Sequence, residues 1–179
     1  MPIILIAFPL VSIGLFFLIK KWDIVFLLGE SKAGKDTLLH ILKGDGFQEK
    51  YVALGQAQVV SIRINNWKKI GVINTAGTDK YGTEEFKSKK YTIRCYVFDS
   101  TKYYDKDEII KLGIQNTINE VKSFSIYKKV KCVALGTRAA SIKNKDEIEN
   151  EVRSMGIKCK IFELSDNPQK EVIEFLFKE

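Results

Sequence analysis

Gly29-Glu30-Ser31-Lys32-Ala33-Gly34-Lys35-Asp36-Thr37 has the G-x-x-x-x-G-K spacing of a phosphate-binding loop, with Asp36 where Ser or Thr usually follows the lysine. The context suits that reading. The apolar run Ile24-Val25-Phe26-Leu27-Leu28 leads in and predicts a buried parallel strand. Thr37 to Lys43 follows as a short helix, with Gly44 placed to end it. Glycines let the backbone wrap close to a polyphosphate, so that successive N–H groups and the helix N-terminus point at the anion. Lys35 adds a mobile positive charge for the outer phosphates. All nine residues of the loop are therefore candidate nucleotide contacts.

Composition is that of a globular chain, with 45% hydrophobic and 28% charged residues among 179. The formal charge is +7, with lysines spread over Lys87 to Lys90, Lys128 to Lys131 and isolated sites. No recognisable motif alternates basic and aromatic residues, so a nucleic-acid partner is not expected. The lysines read as a solvated surface or as attraction to an anionic membrane face. Three cysteines without C-x-x-C spacing indicate neither a disulfide framework nor a zinc site. Cys95, Cys132 and Cys159 each fall near the start of an apolar run, which predicts buried reduced thiols side by side across a sheet. The solitary His40 excludes a multi-histidine metal site.

Pro2 to Ile19 carries no charge and only Ser12 as a polar side chain. As a helix it would span roughly 27 Å, near the hydrocarbon thickness of a bilayer. Lys20 and Lys21 stop it, and Trp22 suits an interface. Residues 1–20 are thus expected to be a single transmembrane anchor, with the lysines and the domain over 22–179 on the cytoplasmic side.

Beyond the loop, Val59 to Ile64 alternates as a strand, and Asn65-Asn66 turns it back into Ile70 to Ile73 as an antiparallel hairpin. Helices are expected around Thr83 to Lys90, Asp105 to Phe124 and Lys145 to Met155, the last closed by Gly156. Strands are expected from Cys95 to Asp99, Val130 to Leu135 and Lys158 to Leu164. Asn167 would cap a last helix, with Pro168 in its first turn. The pattern predicts a three-layer α/β domain on a mostly parallel six-stranded sheet.

Asn74-Thr75-Ala76-Gly77 follows the second hairpin strand, 39 positions after Lys35. Together with the phosphate loop, the hairpin and the strand end Val97-Phe98-Asp99-Ser100, this resembles the D-T-A-G motif and layout of the Ras and Arf superfamily of small GTPases. The resemblance covers essentially everything after Trp22. A membrane anchor on such a domain is similar in architecture to the beta subunit of the signal recognition particle receptor. The resemblance implies GTP/GDP and Mg2+ as ligands, Gly77 as the γ-phosphate sensor, Asn74 and Asp36 at the metal, and a protein partner. Lys35 and Thr78 would be the catalytic residues. Thr137 and Arg138 stand for the Asn and Lys of the family's N-K-x-D motif, and Ser165 falls in its last nucleotide-contacting loop.

The departures are specific. Asn74 replaces the metal-holding aspartate, and Asp36 replaces the Ser or Thr that ligates magnesium directly. A carboxylate is a good hard-cation ligand, so Asp36 either restores the charge missing at Asn74 or repels phosphate. No threonine lies in Tyr51 to Gln58, where the family's first switch has one. Thr78, as in the Rap branch, is short for orienting a water, which implies slow intrinsic or partner-assisted hydrolysis. Ala140 replaces the aspartate that reads guanine, leaving the purine open. The expectation is a membrane-anchored GTPase-like protein. The alternatives are a non-hydrolysing nucleotide-dependent scaffold and, ranked last, a nucleotide kinase.

Overall fold

The computed structural model describes residues 24–47, 58–65, 68–75, 91–123 and 129–178. The expected anchor at Pro2 to Ile19, the segment from Tyr51 to Ala57, Gly77, Thr78 and the helix expected at Thr83 to Lys90 lie outside them. Among the described residues, no helix is long and apolar enough to cross a membrane.

The chain runs through β1 (Ile24–Leu28), α1 (Lys35–Lys43), β2 (Gln58–Asn65), β3 (Lys68–Asn74), β4 (Tyr91–Asp99), α2 (Asp107–Ser123), β5 (Lys129–Thr137), α3 (Lys145–Ser154), β6 (Lys158–Ile161) and α4 (Gln169–Phe177). One six-stranded sheet has the order β2-β3-β1-β4-β5-β6. Only the β2–β3 hairpin is antiparallel; β1 pairs in parallel with both β3 and β4, and β4–β5 and β5–β6 are also parallel. The expected mixed α/β architecture is therefore present, with β4 reaching four residues further back than Cys95.

Strand alternation sorts the core into two layers. Val25, Leu27, Cys95, Val97, Val133 and Leu135 pack with Leu38, Leu42, Val172 and Leu176 of α1 and α4. On the other face, Tyr96, Phe98, Ala134 and Ile161 pack with Ile110, Ile114 and Ile118 of α2 and with Ile148 and Val152 of α3. The cysteines correct their expected placement. Cys95 on β4 sits opposite Val133 and Cys159 on β6 opposite Ala134, so β5 separates them and they point to different faces of the sheet. Cys95 belongs to the α1/α4 layer, and Cys159 and Cys132 to the α2/α3 layer. All three are free thiols, as expected, with Cys95 and Cys159 buried.

Two buried charges brace the sheet. Arg94, 1% exposed, pairs with Glu120 of α2 at 2.9 Å and lays its guanidinium 4.2 Å from the Phe26 ring centre. Glu149 of α3 accepts from the Ile161 N–H at 2.8 Å and from Arg153; Arg153 in turn donates to the Cys159 carbonyl at 3.0 Å. The start of α4 also differs from expectation. Asn167 adopts φ 51° to close the turn Leu164–Asp166, and Pro168 precedes the helix without any side-chain cap. Its left-handed backbone commits Asn167 to the preceding turn.

Candidate functional site

The carboxyl ends of β1, β3, β4 and β5 meet the start of α1, the edge at which parallel α/β sheets build their sites. Gly29 leaves β1 with φ 123°, and a Cβ there would lie 2.0 Å from the Val97 carbonyl oxygen. Only glycine lets the loop pass so close to β4. Lys32 adopts φ 64° in the exposed part of the loop. Gly34, with φ 96°, stands at the N-cap of α1 and brings no side chain to the first N–H groups. That leaves the positive end of α1 open to an anion.

Lys35 is only 6% exposed. Its Nζ donates to the carbonyls of Gly29 at 2.8 Å and Glu30 at 2.7 Å, so the side chain folds back over its own loop. Burial pulls its pKa down, and the negative charges of Asp36 and Glu30 push against that shift. Glu30, Ser31 and Lys32 also border a depression shared with Tyr96, Asp99 and Lys102.

Asp36 and Asn74, 38 residues apart, meet directly: Asn74 Nδ2 donates to Asp36 Oδ1 at 2.5 Å. Asn74 is 2% exposed, and its Oδ1 is buried with no hydrogen-bond partner among the described residues. Thr75 fixes the end of β3 beside them, its N–H and hydroxyl both donating to the Leu27 carbonyl, at 3.2 and 2.8 Å. An orphaned amide oxygen next to a carboxylate is an all-oxygen donor pair, the kind a small hard cation takes alongside water and phosphate. Asp36 and Asn74 are the residues that could hold such a cation, with the amide turning its oxygen in place of its NH2 group toward the carboxylate.

The residues matched to the base-recognition motif are tied into the protein. Thr137, 2% exposed, donates its hydroxyl to the carbonyls of Ala33 at 3.1 Å and Phe98 at 3.3 Å. It braces the phosphate loop from behind. Arg138, with φ 63°, extends its guanidinium to Asp99 at 2.6 Å rather than lying free along a base. Asp99 also accepts from the N–H and hydroxyl of Thr101, at 3.1 and 2.7 Å. Ser165 donates its hydroxyl to Glu163 at 2.7 Å. Glu163 also receives the N–H of Ala140 at 2.9 Å and of Ser165 at 3.2 Å. Partial burial raises the Glu163 pKa, but the donors from Ala140 and Ser165 outweigh it and hold the carboxyl below its usual range.

Sequence reading missed Asp99, Glu163 and Phe47 as site residues. The available signal was position: Asp99 ends an apolar strand, and Glu163 follows another, both at the edge where sites form. Phe47 is 41% exposed and follows Gly46, whose Cβ position would lie 3.5 Å from Asn167 Oδ1. That places an exposed aromatic near the loop that carries Ser165.

The fold and this loop together define a mixed α/β protein with a glycine-rich turn between β1 and α1 at the carboxyl edge of a six-stranded sheet. Neither a protein-family model nor any curated protein matches the chain by sequence. Among solved structures it is similar to a chain of "The Structure of the Mammalian SRP Receptor", with a TM-score of 0.66 and 11% identity. The match covers 86% of this chain and 100% of that one. At that identity the likeness is one of fold.

Proposed function

We propose that this chain is a membrane-anchored small GTPase-like protein that binds a purine nucleotide with magnesium and hydrolyses it slowly or with a partner's help. The observation that carries the reading is the contact between Asp36 and Asn74 at the mouth of a glycine loop whose lysine is already seated inside it. The loop amides and the start of α1 would hold the phosphates, with Lys35 exchanging its two carbonyl partners for phosphate oxygens. Asp36 and Asn74 Oδ1 would hold the magnesium, which neutralises phosphate charge when bound. Phe47 offers a flat face to a base. Gly77 and Thr78 keep the roles that resemblance implies. Pro2 to Ile19 would place the domain against the cytoplasmic face of a membrane.

Titration calorimetry of the full chain with GTP, GDP and ATP, with and without magnesium, tests this. Replacing Lys35 with alanine is expected to weaken binding by about tenfold to a hundredfold, the worth of a charge-assisted hydrogen bond. Asp36→Ala is expected to remove the magnesium dependence. Wild-type protein indifferent to every purine nucleotide would sink the proposal. A second reading, a nucleotide-dependent scaffold without hydrolysis, is favoured by Glu163, whose carboxylate is taken up by Ala140 and Ser165 rather than presented to a ligand. Magnesium-dependent phosphate release separates the two.

A further inference from the structure

The end of the sheet opposite the phosphate loop carries a second charged feature. Lys129 and Lys131 alternate along the start of β5 on the face that α4 covers. Lys131 Nζ donates to the carbonyls of Leu176 and Lys178, both at 3.1 Å. Lys158, at the start of β6, donates to the carbonyls of Phe175 and Lys178, both at 3.3 Å, with its ammonium 5.1 Å from the Phe175 ring centre. Lys160 lies further along β6, opposite Leu135 and level with the phosphate-loop end of the sheet, so it stands apart from this feature, whereas Lys178 follows the end of α4. None of Lys129, Lys158 and Lys178 forms an ion pair among the described residues. Burial and then the charges of Lys160 and Lys178 lower the Lys158 pKa, a sign of like charges crowded together. The nearest acidic group on α4 is Glu174, one turn before its end.

The chain enters β1 at this same end. Ile24 pairs with Thr92, and Thr92 with Val130, so the start of β1 lies two strands, about 10 Å, from the start of β5. We propose that this lysine-bearing end is a docking face for an anionic lipid bilayer, holding the domain with its phosphate loop turned away from the membrane. This rests on reading Pro2 to Ile19 as an anchor. The clustered ammonium groups would gain attraction from the negative surface potential of a cytoplasmic leaflet within a Debye length. Tethering at Ile24 supplies the proximity that makes so modest an attraction sufficient.

The full chain in vesicles tests it, with a fluorophore on Ser154→Cys (exposed, four residues before Lys158) or on Lys143→Cys in the exposed loop before α3, each in a Cys132→Ala background. Headgroup-nitroxide lipid is the quencher. With about 30% phosphatidylserine at low salt, the label at 154 is expected to be quenched about twofold more than that at 143. The difference should vanish in pure phosphatidylcholine, at about 0.5 M salt, and in the Lys129→Gln/Lys178→Gln variant, which spares the two lysines bonded to α4. Equal quenching at both sites, stronger quenching at 143, or a bias unchanged by removing the lysines overturns the docking face. Flotation with phosphatidylcholine vesicles at high salt reports the anchor separately. Its failure alongside lysine-dependent quenching on anionic vesicles would remove the anchor and leave the face standing.

Discussion

At the scale of single residues, the informative event is an exchange. The carboxylate expected on β3 is absent at Asn74, and one appears instead on the first turn of α1 at Asp36, within hydrogen-bond reach of it. One negative charge occupies the pair, and the amide donates to it. Asn74→Asp tests what that arrangement is worth. It sets two carboxylates against each other, which raises the affinity of the pair for a proton above that in the unfolded chain. The folded state then binds more protons than the unfolded one above about pH 4, and stability falls as pH rises. The variant is expected to melt several degrees below wild type at pH 8 without magnesium. It should recover both towards pH 5 and on adding magnesium. Melting curves that ignore the metal in both proteins would show that the pair holds no cation.

At the scale of elements, buried charge joins helices to strands. Glu149 is 6% exposed and links α3 to β6 through the Ile161 N–H, while Arg153 links the same elements through the Cys159 carbonyl. β6 is a short edge strand of four residues, and it leads into the turn that carries Glu163 and Ser165. Glu149→Ala should cost about 2–3 kcal/mol in urea unfolding, because it strands a buried N–H and removes the partner of Arg153. Glu149→Gln, which keeps an acceptor for Ile161, should cost less than half of that. Equal losses would mean that charge, not the hydrogen bond, sets the value.

The same scale shows how far local sequence reached. β1, the loop, Gly44 as the end of α1 and Gly156 after α3 were legible, since each is decided by residues within one turn or strand. Asn167 as a helix cap was not. Its side chain suits a cap, but its backbone is taken up by the turn from Leu164, a choice made by how β6 meets α4. Arg138 likewise invited a role along a base, and the structure turns it to Asp99 across β4 and β5. The partner lies 39 residues away, beyond anything local spacing displays.

For the whole molecule, burial of the thiols sets an alkaline limit. Burial, and then the charge of Glu149, push the Cys159 pKa up to about 12, and burial pushes Cys95 up as well. The unfolded thiols ionise near about 8.5. Above that pH the folded chain retains protons that the unfolded chain releases, so stability falls with rising pH, by up to about 1.4 kcal/mol per pH unit for each such thiol. Urea midpoints should decline between pH 8 and 10, and less steeply in Cys159→Ala. In the native protein a thiol reagent should reach half-buried Cys132 first, and Cys95 and Cys159 only on unfolding. Prompt reaction of all three at neutral pH would contradict the packing on both faces of the sheet.

The amino-acid order by itself determined a phosphate-loop turn between a buried strand and a short helix, a hairpin, and an alternation of strands and helices that demands a three-layer sheet. Those properties come from backbone freedom at glycine and from the periodicity of apolar side chains, both short-range. The tertiary structure alone decided that Asp36 meets Asn74, that Thr137 props the loop while Arg138 serves Asp99, that Cys95 and Cys159 face opposite layers, and that Lys131 of β5 and Lys158 of β6 converge on the end of α4. Each depends on strand register and helix placement, which arise when distant segments bury their apolar faces together and are written in no single stretch of the chain.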